Sequence, residues 1–101
     1  MICVIASITV KKEEMTSFLN VFTANVPTVL AEDGCLEYAP MTDVVTGMPI
    51  QNVNECVVTV VEKWESLDCL KTHLRAPHML AYKEKVQDMV LTVSLKVLQP
   101  I

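Results

Sequence analysis

Four stretches of the chain have the apolar pattern of β-strands. Apolar residues alternate with other side chains over residues 2–10 and 89–98, and a shorter strand is predicted over 35–41. Residues 57–61 are valine except for Thr59, and β-branched residues pack well on a pleated sheet. Because this third strand is apolar on both sides, both of its faces are expected to be covered.

The first helical stretch follows the first strand. Its apolar positions recur at helical spacing and are Met15, Phe18, Leu19, Phe22, Val26 and Val29. Pro27 removes a backbone donor and predicts a bend, but the apolar stripe stays in phase beyond it, so a single helix is predicted. Gly34 then suits the left-handed residue that closes a helix.

The second helical stretch follows the third strand. Ser66 can cap it, because its hydroxyl can accept a hydrogen bond from the free amides of the first turn. The leucines at i, i+3 and i+7 predict one buried stripe, made of Leu67, Leu70 and Leu74. His73 is expected at the edge of that stripe, where it would support little packing.

Pro77 divides this second helical region. It ends one helix and suits the first turn of another, whose apolar stripe is Met79, Tyr82 and Val86. The element order is therefore β-α-β-β-α-β, which is typical of the ferredoxin-like α+β fold with an antiparallel sheet. The length of 101 residues predicts a single domain spanning residues 1–101.

This order leaves one face of the sheet without a cover. Right-handed crossovers place both helical regions on the same face, yet the third strand is apolar on the other face too. Exposed apolar surface costs about 25 cal/mol per Å², so we expect a homodimer whose sheets pack face to face. The polar connection over 42–55 is too long for a tight hairpin and is either a mobile flap or an arm that rests on a partner.

Composition and charge exclude several classes of partner. The net charge is −4 and the basic residues are scattered, so nucleic acid is not an expected partner. No apolar run is long enough to span a membrane, and the N-terminus lacks the order of a signal peptide, so a cytoplasmic protein is expected. The four cysteines form no CxxC pair and are interpreted as reduced core thiols: Cys3, Cys35, Cys56 and Cys69.

No metal or organic cofactor is expected. The chain has only two glycines, far apart, so it has neither a GxGxxG turn nor a phosphate-binding loop. His73 and His78 are five residues apart with a proline between them, and a helical zinc site uses a spacing of four. A redox enzyme made from this chain would therefore take its electrons from the substrate.

Three segments resemble the antibiotic biosynthesis monooxygenase family, and in particular its small bacterial quinol monooxygenases. They are VPTVLAEDGCLEYAP, VVEKWESLDCLKTHLRAPHMLAYKEKV and the terminal VLQPI. The diagnostic pattern is a strand ending in E-x-W-E-S, with a His nine residues after the Trp and then x-x-x-P-H. The resemblance implies a ferredoxin-like dimer with a joint β-barrel, in other words a dimeric α+β barrel. It also implies oxidation of phenolic or quinol-like polycyclic compounds by O₂ without metal or flavin.

The resemblance also includes other activities, among them haem degradation and isomerisation of a sugar phosphate. The haem-degrading branch uses an Asn on the first strand together with a Trp and a His. Trp64 and His73 resemble the latter two, but the first strand offers Ala6 or Ser7 in place of the Asn, which counts against haem degradation.

Candidate roles follow for the residues around this pattern. We assign His73, Trp64 and Glu62 to catalysis. His73 would be the base for a phenol, because imidazole titrates near neutral pH. Glu62 would orient the imidazole or hold a substrate hydroxyl. Strand alternation places Glu62 in line with Trp64. Trp64 would also wall the pocket. The candidate substrate-binding residues are Ser7 (donating to a quinone oxygen), Tyr38, His78, Met79 and Tyr82. Two alternatives stay open, a small-molecule binding or stress-response module without turnover and an isomerase of a small carbonyl compound.

Overall fold

The structure is a computed structural model that describes residues 1–101. Its strands are β1 (Ile2–Val10), β2 (Cys35–Thr42), β3 (Val57–Trp64) and β4 (Val90–Leu98). Its helices are α1 (Met15–Leu30), preceded by a 3₁₀ turn (Lys12–Glu14), α2 (Leu67–Leu74) and α3 (Pro77–Val86). All strand pairs are antiparallel in the order β2-β3-β1-β4, so the predicted ferredoxin-like α+β fold is confirmed.

The register of the two central strands determines which side chains form the core. Ala6 pairs with Val60 and Ile8 with Val58, so the even-numbered residues of both strands share one face. That face is buried, whereas the odd-numbered residues are only half-buried. The core continues from this face into the helices through the apolar side chains Phe18, Phe22, Val29, Leu70, Met79, Tyr82 and Val86.

Two helical predictions are confirmed. α1 is one helix that continues through Pro27. Gly34 has a φ of +80°, but the helix ends earlier, with Ala31 as its cap, so Gly34 belongs to the turn before β2. Ser66 caps α2, because its Oγ accepts a hydrogen bond from the Cys69 amide at 3.2 Å. No helix in the structure combines the length and the hydropathy that crossing a bilayer requires.

The predicted leucine stripe of α2 is wrong in part. Leu70 is buried, but Leu67 at the start of the helix is 45% exposed. His73 is 2% exposed and lies inside the core rather than at its edge. The helix is therefore rotated so that His73, not Leu67, points at the sheet, and His73 supports more packing than its sequence context indicated.

The last strand differs from the prediction in its environment. Val93, Leu95 and Val97 lie on the core side of the sheet, opposite Ile8, Ala6 and Val4 of β1. They are nevertheless 45–61% exposed, because the helices pack mainly against β2 and β3 and make few contacts with β4. The four cysteines are free thiols but are half-buried rather than part of the core.

The segment between β2 and β3 is organised by its own polar side chains. Gln51 accepts hydrogen bonds from the amide and hydroxyl of Thr46 and donates to the Val44 carbonyl. The Asn54 amide donates to Asp43 at 2.8 Å. Several apolar side chains of this segment face outward, among them Val44, Val45, Met48 and Ile50. A role as flap or arm stays a prediction.

Candidate active site

A cavity of about 440 Å³ lies between the sheet and the helices. Twelve of its sixteen lining residues are hydrophobic, among them Ala6 and Ile8 of β1 and Val60 of β3. Val93 and Leu95 of β4 border it on the side that the helices leave uncovered. The interior is therefore apolar, and its open side faces away from β2.

His73 brings an imidazole to the wall of this cavity. Its Nδ1 lies 2.7 Å from Oε2 of Glu32, in the turn after α1. Its ring centroid lies 4.6 Å from that of Trp64 and 5.5 Å from that of Tyr38, the latter in an edge-to-face arrangement. Burial lowers the pKa of His73 below its usual 6.5, and the Glu32 hydrogen bond opposes that shift. The imidazole is thus held on three sides and favoured in its neutral form.

Glu62 places a carboxyl group in the same cavity. It is 5% exposed and accepts a 3.0 Å hydrogen bond from Trp64 Nε1–H at Oε1. Burial raises the pKa of Glu62, while the Trp64 hydrogen bond stabilises the charged form and lowers it. The predicted alignment of Glu62 and Trp64 on one strand face thus becomes a direct contact. Trp64 itself is fully buried and lies behind His73 and Glu62 rather than in the wall.

Aromatic rings form much of the remaining wall. Phe22 of α1 stacks on Tyr38 at 5.6 Å and meets Tyr82 of α3 edge-on at 5.6 Å. Burial raises the pKa of the Tyr38 hydroxyl and raises that of Tyr82 to about 12. Both tyrosines therefore remain hydrogen-bond donors at neutral pH. Met79 also lines the cavity, so three of the predicted substrate-binding residues come together here.

Ser7 does not belong to this group. It pairs with Thr59 and Ser94 in the middle of the sheet, between Ala6 and Ile8, which line the cavity. Successive side chains of a strand point to opposite faces, so Ser7 projects from the face away from the helices. Ser7 therefore does not line this cavity, and its expected role as a donor to a quinone oxygen stays a prediction.

His78 also lies outside the cavity. Its Nδ1 is 3.3 Å from Nδ2 of Asn25, and its Nε2 is 3.5 Å from Oε2 of Glu32 without hydrogen-bond geometry. It borders a smaller cavity of about 180 Å³ between α1 and α3. The structure therefore does not place His78 among the side chains that would touch a substrate in the main cavity.

Glu32 is the site residue that the sequence reasoning missed. It contacts both histidines although it precedes them by more than forty residues. Helical or strand periodicity cannot reveal such a contact, because it depends on how the turn after α1 packs against α2 and α3. The available signal was the segment EDGCLEYAP, in which Glu32 is the first residue.

Comparison with known families agrees with this architecture. Residues 1–85 match the family profile described as antibiotic biosynthesis monooxygenase. The chain belongs to this family. The matched region includes Glu32, Glu62, Trp64 and both histidines. Of the residues that line the cavity, only those from Val86 onward lie beyond it.

Similar proteins match nearly the full length of the chain. The chain is 40% identical over 102 residues to "Probable quinol monooxygenase YgiN" of Escherichia coli K12, covering 99% of this chain and 98% of that protein. Rv0793 of Mycobacterium tuberculosis has a TM-score of 0.83 at 23% identity, covering 99% and 94% of the two chains. A solved structure described as antibiotic biosynthesis monooxygenase has a TM-score of 0.84 at 18% identity, covering 100% and 99%. The two structural matches establish the shared fold.

Proposed function

We propose that this protein is a monooxygenase that oxidises quinols or phenolic polycyclic compounds with O₂, using no metal or organic cofactor. The observation that carries the proposal is the convergence of a buried imidazole and a buried carboxyl group on one apolar, aromatic-walled cavity. The name of the E. coli relative supports the quinol substrate class. A volume of about 440 Å³ falls in the range of small-molecule pockets.

The chemistry starts from the reluctance of ground-state O₂ to react with closed-shell molecules. A quinolate anion is electron-rich enough to give O₂ one electron, whereas the neutral quinol is not. The protein therefore needs a base, and His73 supplies it in the neutral form that burial favours. Transfer of the phenolic proton to His73 produces the quinolate inside the cavity.

The overall reaction balances without an external reductant. A quinol and O₂ give a hydroxyquinone and water, so one oxygen atom enters the ring and the other leaves as water. The quinol supplies two electrons as it becomes a quinone, and the ring C–H bond supplies the other two. Recombination of superoxide with the semiquinone forms the carbon–oxygen bond, and loss of water from the resulting hydroperoxide completes the step.

Three polar groups can orient the substrate. Glu62 can hold a substrate hydroxyl, because its carboxyl group faces the cavity and is fixed by Trp64. Tyr38 and Tyr82 can donate hydrogen bonds to a quinone oxygen, since their raised pKa values keep them protonated. The ring faces of the wall suit a planar substrate. The first strand offers Ala6, which lines the cavity, or Ser7 in place of the Asn that the haem-degrading branch uses, and this difference supports a quinol over haem.

The assembly proposed for this enzyme is a homodimer in the cytoplasm. Ile5, Val57 and Val61 lie half-buried on the sheet face away from the helices, where a second copy can cover them. The free thiols at all four cysteines fit a reducing compartment. Dimerisation would also remove apolar surface from water, which the single chain leaves exposed.

Oxygen uptake with a panel of quinols tests the proposal. Uptake is measured in a closed electrode cell, with autoxidation subtracted by using heat-denatured protein at the same concentration. We expect enzyme-dependent uptake that a chelator does not abolish, and one labelled atom from ¹⁸O₂ in the product. Tight quinol binding without uptake would instead indicate the binding module. Proton exchange at a substrate carbon without uptake would indicate the isomerase.

A further inference from the structure

Glu32 lies in a turn that the backbone fixes tightly. Its amide donates to the Val29 carbonyl at 3.0 Å, and its carbonyl accepts from the Cys35 amide at 3.2 Å. Between Glu32 and Cys35, Gly34 has a φ of +80°, a conformation that glycine adopts without strain. The side chain of Glu32 is only 16% exposed and turns from this anchored backbone toward α2 and α3.

One oxygen of the carboxylate faces both histidines. Oε2 of Glu32 is 2.7 Å from His73 Nδ1 and 3.5 Å from His78 Nε2. On its far side, His78 is held by Asn25, whose Nδ2 lies 3.3 Å from His78 Nδ1. The four side chains therefore form a polar row from α1 to the wall of the main cavity, in which His78 and Glu32 are in close contact without a hydrogen bond.

The donors and acceptors of this row assign its protons. An amide nitrogen only donates, so His78 Nδ1 accepts from Asn25 and His78 carries its proton on Nε2, facing Glu32. A carboxylate only accepts, so His73 must carry its proton on Nδ1. Neutral His73 then has its lone pair on Nε2, the ring nitrogen that Glu32 leaves free for a group in the cavity.

We propose that Glu32 is a positioning residue that holds His73 in the Nδ1–H tautomer, with Nε2 as the base toward the cavity. The inference rests on the proposed function at one point only, namely that the proposed substrate is the molecule from which His73 takes a proton. The same carboxylate stabilises the imidazolium that forms when His73 takes a proton, so it opposes the cost of charge in a buried site. His78 and Asn25 limit the movement of Glu32 and act through it, without touching the substrate.

Several other groups face His73 and contribute to its titration. Glu62 lies in the same cavity wall, and Tyr38 packs against the ring edge. The charged or titratable neighbours by element are Glu32 after α1, Tyr38 on β2, Glu62 on β3, and His78 and Lys83 on α3. Glu32 is the only one of these hydrogen-bonded to the ring, so its removal should change the tautomer as well as the titration.

The test is ¹⁵N NMR of the histidine side chains in the wild-type protein, Glu32→Gln and Asp33→Asn, all without substrate. Asp33 is the adjacent exposed carboxylate and controls for loss of one charge. We expect wild-type His73 to show a protonated Nδ1 and an unprotonated Nε2 above its pKa. Glu32→Gln should lower the His73 pKa and mix the tautomers, while Asp33→Asn should change neither.

Quinol oxidation gives a second readout. Glu32→Gln should lower kcat by about tenfold or more, but by less than the roughly 10²–10⁴-fold loss expected when the base itself is removed. It should also shift the acid limb of the pH profile to lower pH. An Nε2–H tautomer in wild-type His73, or a titration unchanged in Glu32→Gln, would overturn the inference whatever the activity. The expected NMR result in a protein that oxidises no quinol would uphold the positioning and reject the proposed function instead.

Discussion

At the scale of single residues, burial moves two titrating groups of the cavity in opposite directions. Desolvation disfavours charge on either, so it lowers the pKa of His73 and raises that of Glu62. Burial therefore favours the neutral imidazole, which can act as a base at neutral pH, and it favours the protonated form of the carboxyl group. Strand alternation predicted that Glu62 and Trp64 share a strand face, whereas the Glu32–His73 contact depends on tertiary packing and could not be predicted.

Replacing the buried carboxyl group should make stability less sensitive to pH. The raised pKa of Glu62 means that folding opposes its ionisation, so wild-type stability is lost as pH rises above 4.5 and through the folded-state pKa. Glu62→Gln keeps an acceptor for Trp64 but cannot ionise. We expect the melting temperature of Glu62→Gln, measured relative to that of the wild type, to rise by a few degrees as the pH increases above 4.5.

The matched control for this prediction is Glu84→Gln, on the exposed face of α3. It should follow the wild-type melting temperature at every pH. A Glu62→Gln protein whose melting difference from wild type is constant between pH 4 and 8 would show that Glu62 titrates like an exposed carboxyl group.

Truncation of the indole should separate its hydrogen bond from its volume. Trp64→Phe removes the Nε1–H donor and leaves Glu62 without its partner, which should cost roughly 1.5–3 kcal/mol. Trp64→Ala also opens a cavity in the core and should cost roughly 3–5 kcal/mol. Urea unfolding measures both values. Equal losses in the two variants would mean that the hydrogen bond, not packing, is the dominant contribution.

At the scale of elements, capping and breaking signals were more informative than apolar spacing. Ser66 and Pro77 mark helix boundaries through local chemistry, and the structure confirms both of them. Gly34 has the predicted left-handed φ, but it lies three residues beyond Ala31, the residue that caps α1. The stripe of α2 was harder to predict, because a helix of eight residues has few positions from which to define its buried face. Packing against Trp64 turned His73 inward and left Leu67 exposed.

The cap of α2 should contribute measurable stability. Ser66 Oγ accepts from the Cys69 amide, and Ser66→Ala leaves that amide without this partner. We expect a loss of about 1 kcal/mol in the free energy of unfolding, measured by urea titration. Ser17→Ala, in the exposed first turn of α1, should be neutral by comparison. A neutral Ser66→Ala would mean that water replaces the cap.

At the scale of the whole molecule, two sheet surfaces are incompletely covered in the single chain. One is the face away from the helices, where apolar Ile5 and Val61 lie beside the hydroxyl row of Ser7, Thr59 and Ser94. The other is the core side of β4, next to the cavity. The sequence predicted the first from the doubly apolar third strand. It did not predict the second, because β4 alternates like a covered strand.

A charge on the first surface should disrupt the proposed homodimer. Val61→Glu places a carboxylate where two sheets would meet, and burying it without a partner is unfavourable. Sedimentation velocity at micromolar concentration should show a dimer for wild type and a monomer for the variant. Leu80→Glu, on the exposed side of α3, should remain dimeric. A wild-type monomer at this concentration would remove the dimer from the proposal.

The central claim is that a neutral, buried His73 removes a proton from the substrate so that O₂ can oxidise it. Its most direct test is the pH dependence of quinol-dependent O₂ uptake in wild type, His73→Gln and His78→Gln. Glutamine replaces alanine because His73 packs against Trp64 and Tyr38, so alanine would also open a cavity.

Wild-type kcat/KM should fall as pH drops through a pKa below 6.5, because the base becomes protonated. His73→Gln should lose this step and about 10²–10⁴-fold in rate, with a smaller loss in His78→Gln. A folded His73→Gln protein that keeps the wild-type rate and pH profile would contradict the account, because the substrate would then ionise without this imidazole.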